Sequence, residues 1–214
     1  MKKRGLSAIV LGAGSAFLLA GCALMGGNAP YQPTDNTVLV GSDGSLQWAS
    51  VEEYGDGDYS QEEMADFAKE RIGAYNESQG AGNQAEAQEE AVLPVSFVSG
   101  EMADGRAVLV TAYDSPSRLL EFARYIGDYN VPFTQLEIAP ASEMAEELSA
   151  ASLVDKNGKA AQNVNAGDSL AVKAEGQGLI HMEDKIRLVS EGCQLRDEYT
   201  VLTAEEGVSY IVAE

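Results

Sequence analysis

Hydrophobic and polar residues alternate along much of the chain after residue 36, which predicts short β-strands. Two apolar runs at 38–40 and 46–51 flank Ser42-Asp43-Gly44-Ser45, and Asp-Gly is typical of a tight turn, so they predict a β-hairpin. Glu205-Glu206-Gly207 predicts a second hairpin, between the last two strands. Besides the first hairpin, strands are predicted at 91–98, 106–113, 132–139, 152–155, 169–174, 178–183, 185–190, 198–204 and 208–214.

Helix-start signals mark two segments. Ser60 followed by Glu63 is a capping box, and the helix that begins there is expected to end near Gly80. Ser115-Pro116 predicts the start of a second helix, with serine as the cap and proline in the first turn. A short third helix is expected to end near residue 150. Residues at helical spacing predict the buried faces: Met64, Phe67, Ala68, Ile72 and Tyr75 in the first helix, and Leu119, Leu120, Phe122, Ala123 and Ile126 in the second.

Together these elements predict an α+β fold, mostly antiparallel β-sheet with two to three packed helices. The sequence indicates a single domain at residues 37–214, with a polar, low-complexity loop at 80–90. Residues 22–36 are rich in glycine, proline and small polar residues and predict a flexible tether.

Residues 1–21 have the layout of a secretory signal. Three basic residues, Lys2-Lys3-Arg4, precede an apolar stretch that is shorter than the about twenty residues of a membrane-spanning helix. Leu19-Ala20-Gly21-Cys22 resembles the lipobox of bacterial lipoproteins. That resemblance implies cleavage between Gly21 and Cys22 and a diacylglyceryl group on the Cys22 thiol, whose two acyl chains anchor a protein stably. We therefore expect a lipid-anchored protein on the extracytoplasmic face of the cell membrane.

The net charge of the chain is −20, and loss of residues 1–21 would make it more negative by three. So acidic a chain is repelled by nucleic acid, which excludes a nucleic-acid partner. Once Cys22 is acylated, Cys193 is the only remaining cysteine, so no disulfide within the chain is expected. Cys193 also lies among acidic residues, where a reactive thiolate is disfavoured.

The acidic stretch before the first predicted helix is a candidate calcium site. Asp56, Asp58 and Ser60 offer oxygen ligands at alternate positions. The stretch is not an EF-hand loop, because positions six and twelve counted from Asp56 are Gln61 and Phe67. One alternative is an acidic loop stabilised by the helix dipole. Another, the Asp-x-Asp-x-Ser nucleophile of haloacid-dehalogenase-like phosphatases, lacks the buried strand that should precede it.

The single histidine and the single tryptophan are expected to be structural. Alternation places Leu179, His181 and Glu183 on the half-solvated face of one strand. A zinc site or a catalytic triad needs partners that the sequence does not supply for His181. Trp48 is expected to pack in the core or on a sheet face rather than to stack on a sugar. No catalytic residue and no cofactor is predicted.

The order of the motifs resembles a family of small lipoproteins of clostridial, Gram-positive bacteria that has no assigned activity. The resemblance rests on the lipobox and tether, on "VGSDGSLQWASVEEY", on the helix ending "AYNES", on "GRAVLVTAYDSPSRLLEFA" and on the terminal "SYIVAE". It implies a surface lipoprotein and transfers no ligand or catalytic residue.

The expected function is therefore a non-enzymatic binding or scaffolding module of the cell envelope. The predicted contacts for a basic envelope protein are the acidic end of the hairpin and the acidic face of the first helix, made of Glu62, Glu63, Asp66 and Glu70. One alternative is a receptor for a small solute or calcium, with Asp56 and Asp58 as its best residues. A further alternative is an envelope enzyme of unknown class.

Overall fold

The computed structural model describes residues 31–55, 59–87, 92–161, 164 and 167–214. Within these ranges the chain forms three helices and twelve strands, and it has the predicted α+β fold with mostly antiparallel sheet. The helices are α1 (Gln61–Ser78), α2 (Pro116–Ile126) and α3 (Ala145–Ala150). The strands are β1 (Thr37–Val40), β2 (Leu46–Glu53), β3 (Val95–Ala103), β4 (Arg106–Tyr113), β5 (Gln135–Pro140), β6 (Leu153–Val154), β7 (Leu170–Glu175), β8 (Leu179–Met182), β9 (Ile186–Ser190), β10 (Gln194–Leu195), β11 (Thr200–Leu202) and β12 (Val208–Ala213).

The larger of two sheets has seven strands in the order β10-β11-β8-β1-β2-β4-β3. The β1–β8 pair is parallel and the other described pairs are antiparallel. Val38 is paired with Trp48 and the next residue, Leu39, with His181. Because successive side chains of a strand point to opposite faces, Trp48 and His181 lie on opposite faces. We call the face that carries Trp48 the inner face and the face that carries His181 the outer face.

The second sheet has five strands in the order β5-β7-β12-β9-β6. The main hydrophobic core combines the inner face of the larger sheet with one face of this second sheet and with α1 and α2. Its fully buried members include Val38, Ile180, Val172, Ile211 and Leu119. On the other side of the second sheet, Leu148 of α3 joins a smaller cluster.

Local sequence signals account for the start of α1 and for the first hairpin. Ser60 Oγ accepts the Glu63 N–H at 3.2 Å, and Glu63 Oε2 accepts the Ser60 N–H at 2.8 Å, so the predicted capping box is confirmed. The pairing of β1 with β2 confirms the first hairpin. At α2, Ser115 stands at the cap position, but its hydroxyl accepts no backbone N–H of the helix and donates to Asp114 Oδ1 instead.

The predicted hairpin between the last two strands is wrong. Strand β11 pairs with β8 in the larger sheet, whereas β12 pairs with β7 and β9 in the smaller one. The chain changes sheets after Thr203, which is 1% exposed. The Thr203 hydroxyl donates to the Gly176 carbonyl at 2.6 Å and accepts the Gly178 N–H at 2.8 Å. These bonds hold the chain against the β7–β8 turn, a contact that the local sequence does not encode.

Two residues that were predicted on buried helix faces are exposed. Phe67 of α1 is 59% exposed and Ile126 of α2 is 41% exposed. Ala68, Ile72 and Tyr75 of the first stripe are buried as predicted. Both exceptions stand beside one cavity, which is described below.

The described part of the predicted tether, residues 31–36, lies against the outer face of the larger sheet. The Tyr31 ring stacks on His181 with 3.7 Å between the ring centroids, and Asn36 Oδ1 accepts the Val51 N–H at 2.7 Å. Leu39 and Ala49 pack beside Tyr31 in a small cluster on this face. Among the described residues, no helix has the length and apolar character that crossing a membrane requires.

Candidate functional site

An apolar groove of about 700 Å³ lies over the inner face of the larger sheet, between α1 and the end of α2. Its floor is formed by inward-pointing residues of β2 and β4, which are adjacent antiparallel strands. Alternation along the two strands brings these residues to one face, since every second residue shares it. The floor residues are Trp48, Ser50, Ala107, Leu109, Thr111 and Tyr113.

The two helices supply the walls of the groove. Tyr59, Met64 and Phe67 form the wall on the side of α1. On the other side α2 is followed by Gly127, whose φ of 73° allows the chain to turn away from the helix into a loop at 127–131. Asn130 Nδ2 donates to Glu52 Oε1 at 3.2 Å, so this loop is held against the end of β2.

Exposed apolar side chains are concentrated at the groove. Seven large hydrophobic residues of the described part of the chain are exposed, and four of them, Tyr59, Phe67, Ile126 and Tyr129, line it. We call these four residues the rim. Tyr129 is 95% exposed. Isolated exposed apolar residues are ordinary on a protein surface, but a group around one concavity is typical of a binding site.

The aromatic floor is buried and carries an unpaired donor. Trp48 is 3% exposed, and its indole Nε1 is buried with no hydrogen-bond partner in the protein. A buried donor without a partner costs about 1–3 kcal/mol. Tyr113 differs, because its hydroxyl lies 2.8 Å from Thr111 Oγ1 and burial raises its pKa, which keeps the hydroxyl protonated at neutral pH.

The charged residues of the groove are all acidic. Glu52, Glu63 and Asp128 line it, and no lysine or arginine does so among the described residues. Hydrogen bonds from Ser60 lower the pKa of Glu63, so this carboxylate is ionised at neutral pH. The Asp128 carboxylate accepts the Asn130 N–H at 2.8 Å, which fixes its position in the loop. The groove therefore joins an apolar floor to a negatively charged edge.

The residues predicted for lipidation and calcium binding fall mostly outside the described part of the chain. Gly21, Cys22, Asp56 and Asp58 lie outside the described residues. Ser60 is described, and its hydroxyl caps α1. Within the described ranges, no three His, Cys, Asp or Glu side chains converge in a way that could hold a metal ion. Calcium binding by the acidic stretch stays a prediction.

His181 lies on the outer face, away from the groove, and is half-buried as the alternation predicted. Its Nδ1 is 2.9 Å from Thr200 Oγ1. Burial lowers the pKa of His181, and the nearby negative charge of Asp197 opposes that shift only in part. The ring is therefore neutral at neutral pH, which suits its stacking on Tyr31.

The predicted acidic face of α1 is exposed to solvent: Glu62, Glu63, Asp66 and Glu70 are all exposed. Of these, Glu63 also reaches the groove. A basic envelope protein as partner of this face stays a prediction.

The groove itself was not predicted from the sequence. Its floor comes from 48–50 and 107–113, and its walls come from 59–67 and 122–131, so no single stretch contains it. The usable signal was the hydrophobic character of Tyr59 and Tyr129, two aromatic residues in otherwise polar segments next to helix ends.

No family model, curated protein or solved structure matches this chain. The groove, its aromatic lining and its acidic edge are thus the features from which a function can be inferred.

Proposed function

We propose that this protein is a lipid-anchored extracytoplasmic binding protein and that the groove over β2 and β4 is its ligand site. The anchor rests on the lipobox at Leu19-Ala20-Gly21-Cys22 and on the resemblance to clostridial surface lipoproteins. The observation that carries the binding function is the groove of about 700 Å³ with its apolar floor. Sites for small organic ligands have volumes of about 300–1,000 Å³ and are lined mainly by apolar and aromatic side chains.

Packing at the groove supports ligand binding over a structural role. The apolar stripes of α1 and α2 are continuous in sequence, yet Phe67 and Ile126 remain largely exposed where the groove opens. A ligand that covers these side chains gains about 25 cal/mol for each Å² of apolar surface removed from water. The proposed role is non-enzymatic: among the described residues of the lining, no nucleophile is hydrogen-bonded to a base.

Exchange of Cys22 for alanine tests the anchor. Cys22→Ala should abolish incorporation of an alkyne-labelled fatty acid and release the protein from the membrane fraction or leave the precursor uncleaved, because the thiol is the acceptor of the lipid. Cys193→Ala is the matched control and should be labelled as well as the original protein. Equal labelling of Cys22→Ala and the original protein would contradict the proposed anchor.

Blocking the floor tests the ligand site. Ser50→Phe places a ring on the inner face, whereas Val51→Phe, one residue further along β2, places the same ring on the outer face. Titration with the neutral fluorophore 1-N-phenylnaphthylamine should show binding at least about tenfold weaker for Ser50→Phe, a change of about 1.4 kcal/mol. Val51→Phe should bind like the original protein.

Quenching of Trp48, the single tryptophan, provides an independent signal from the floor of the groove. The ligand site would have to be abandoned if the fluorophore failed to bind the original protein. It would also have to be abandoned if Ser50→Phe and Val51→Phe, both folded by circular dichroism, bound the fluorophore equally well.

A further inference from the structure

The acidic edge of the groove favours one sign of charge in the ligand. This inference rests on the proposed function, in which the groove is a ligand site. We propose that the natural ligand is a small organic cation, with an apolar or aromatic body that lies on the floor and an amino or quaternary ammonium group at the acidic edge. The groove is a partly open concavity whose volume of about 700 Å³ suits such a molecule.

Three carboxylates make the edge of the groove negatively charged. Glu52 extends from the end of β2, Glu63 from the first turn of α1, and Asp128 from the loop after α2. Within the described residues, no ion pair neutralises any of the three. Their hydrogen bonds come from neutral donors, the Asn130 side chain and the backbone N–H groups of Ser60 and Asn130. The negative charges are thus held in place without being cancelled.

The rings of the groove favour the same ligand. Trp48, Tyr113 and Phe122 lie at the buried end of the groove, and Tyr59 and Tyr129 lie at the rim. A cation is attracted to the negative face of an aromatic ring, and recognition of quaternary ammonium groups by several rings is a common use of this attraction. Phe67 already shows such a contact, since the Arg71 guanidinium carbon lies 4.9 Å from its ring centroid.

The electrostatic field of the whole chain also favours a cationic ligand. A net charge of −20 attracts cations and repels anions at long range, and a concave site concentrates that field. The Arg71 guanidinium lies over the Phe67 ring and is not part of the groove lining. An anionic ligand would therefore meet three carboxylates and no basic residue of the groove lining.

The test compares three probes of matched size and different charge. The probes are 4-phenylbutylamine, 4-phenylbutanol and 4-phenylbutanoate, each titrated by displacement of 1-N-phenylnaphthylamine. We expect the amine to bind about tenfold tighter than the alcohol and the carboxylate to bind most weakly, since a charge-assisted contact is worth about 1.4 kcal/mol or more. The preference for the amine should shrink between about 0.1 and 1 M salt, where the Debye length falls from about 10 to 3 Å.

A pair of variants on β2 locates the effect. Glu52→Gln removes one charge from the edge of the groove, while Glu53→Gln removes the same charge from the neighbouring residue on the outer face. Glu52→Gln should weaken binding of the amine about fivefold to tenfold and leave binding of the alcohol unchanged. Glu53→Gln should leave both affinities unchanged.

The possible outcomes distinguish failure of the cationic ligand from failure of the ligand site. Equal binding of amine and alcohol by the original protein would overturn the cationic ligand and leave the proposed function standing, because the neutral probe still occupies the groove. Failure of all three probes and of the fluorophore would overturn both. Binding of the peptide acetyl-Leu-Lys-Leu-amide without binding of the amine would overturn the small-molecule ligand in favour of a basic peptide.

Discussion

Gly176→Ala should lower the free energy of unfolding by about 3–5 kcal/mol, among the largest effects of a single substitution in this chain. Gly176 has a φ of 115°, which residues other than glycine rarely adopt, and an added Cβ would overlap the Pro132 carbonyl oxygen. Backbone lies on both sides of this contact, so neither side can give way by a simple rotamer change. Urea denaturation followed by circular dichroism measures the loss.

Gly158→Ala is the matched control for this prediction. Gly158 also has a positive φ, 73°, but an added Cβ there would meet no atom within 4 Å. Its substitution should cost only about 1–2 kcal/mol, the price of the left-handed conformation alone. Equal losses of stability for the two variants would contradict the close contact between Pro132 and the β7–β8 turn.

The Gly176 contact also reaches the groove. Thr134 N–H donates to the Glu175 carbonyl at 2.9 Å, so the segment after the groove loop at 127–131 is fixed to the end of β7. Pro132 follows that loop directly, and a shift at Pro132 moves the wall on the side of α2. Gly176→Ala should therefore weaken binding of 1-N-phenylnaphthylamine as well, even at temperatures where the variant remains folded.

Asn76→Ala should cost about 3–5 kcal/mol of stability, because three hydrogen bonds are lost inside the protein. Asn76 is 0% exposed at the end of α1. Its Nδ2 donates to the Gln84 and Val95 carbonyls, both at 2.7 Å, and its Oδ1 accepts the Val95 N–H at 3.1 Å. One side chain thus joins the helix, the loop after it and β3. Alanine would leave the Val95 backbone groups buried without these partners.

Two measurements check the role of Asn76. Urea denaturation should show the loss of stability, and hydrogen exchange should show faster exchange of the Val95 amide, which a general weakening of α1 would not select. Asn157→Ala, at an exposed turn, should change stability by less than about 0.5 kcal/mol. An unchanged exchange rate at Val95 would contradict the assigned hydrogen bond.

Elements with local signals were predicted correctly from the sequence. The Ser60–Glu63 capping box sets the start of α1 because both bonds join residues three apart. The first hairpin follows from its Asp-Gly turn, and β4 has the predicted bounds. The last hairpin failed because Thr203 is bonded to Gly176 and Gly178, more than twenty residues earlier. Long-range contacts of that kind leave no periodic pattern in a sequence.

The candidate site escaped prediction for a related physical reason. Helical spacing predicted Phe67 and Ile126 on the buried faces of the two helices, but spacing cannot show whether another element covers the whole of such a face. In the fold, Phe67 of α1 and Ile126 of α2 both line the groove over β2 and β4, where no other described element covers them. The sequence-based errors at Phe67 and Ile126 therefore coincide with the groove, in line with a local rule being broken at the proposed ligand site.

Tyr31 and Trp48 lie on opposite faces of one sheet, and this determines whether the groove faces the solution when the protein is immobilised through its N-terminal segment. Any attachment made upstream of Tyr31 reaches the domain where this ring stacks on His181, on the outer face. The groove lies on the inner face of the same sheet, the face that carries Trp48. Coupling to a sensor chip through the N-terminal segment should consequently leave the groove open to the solution, and a ligand in the surrounding medium can enter it without displacing the point of attachment.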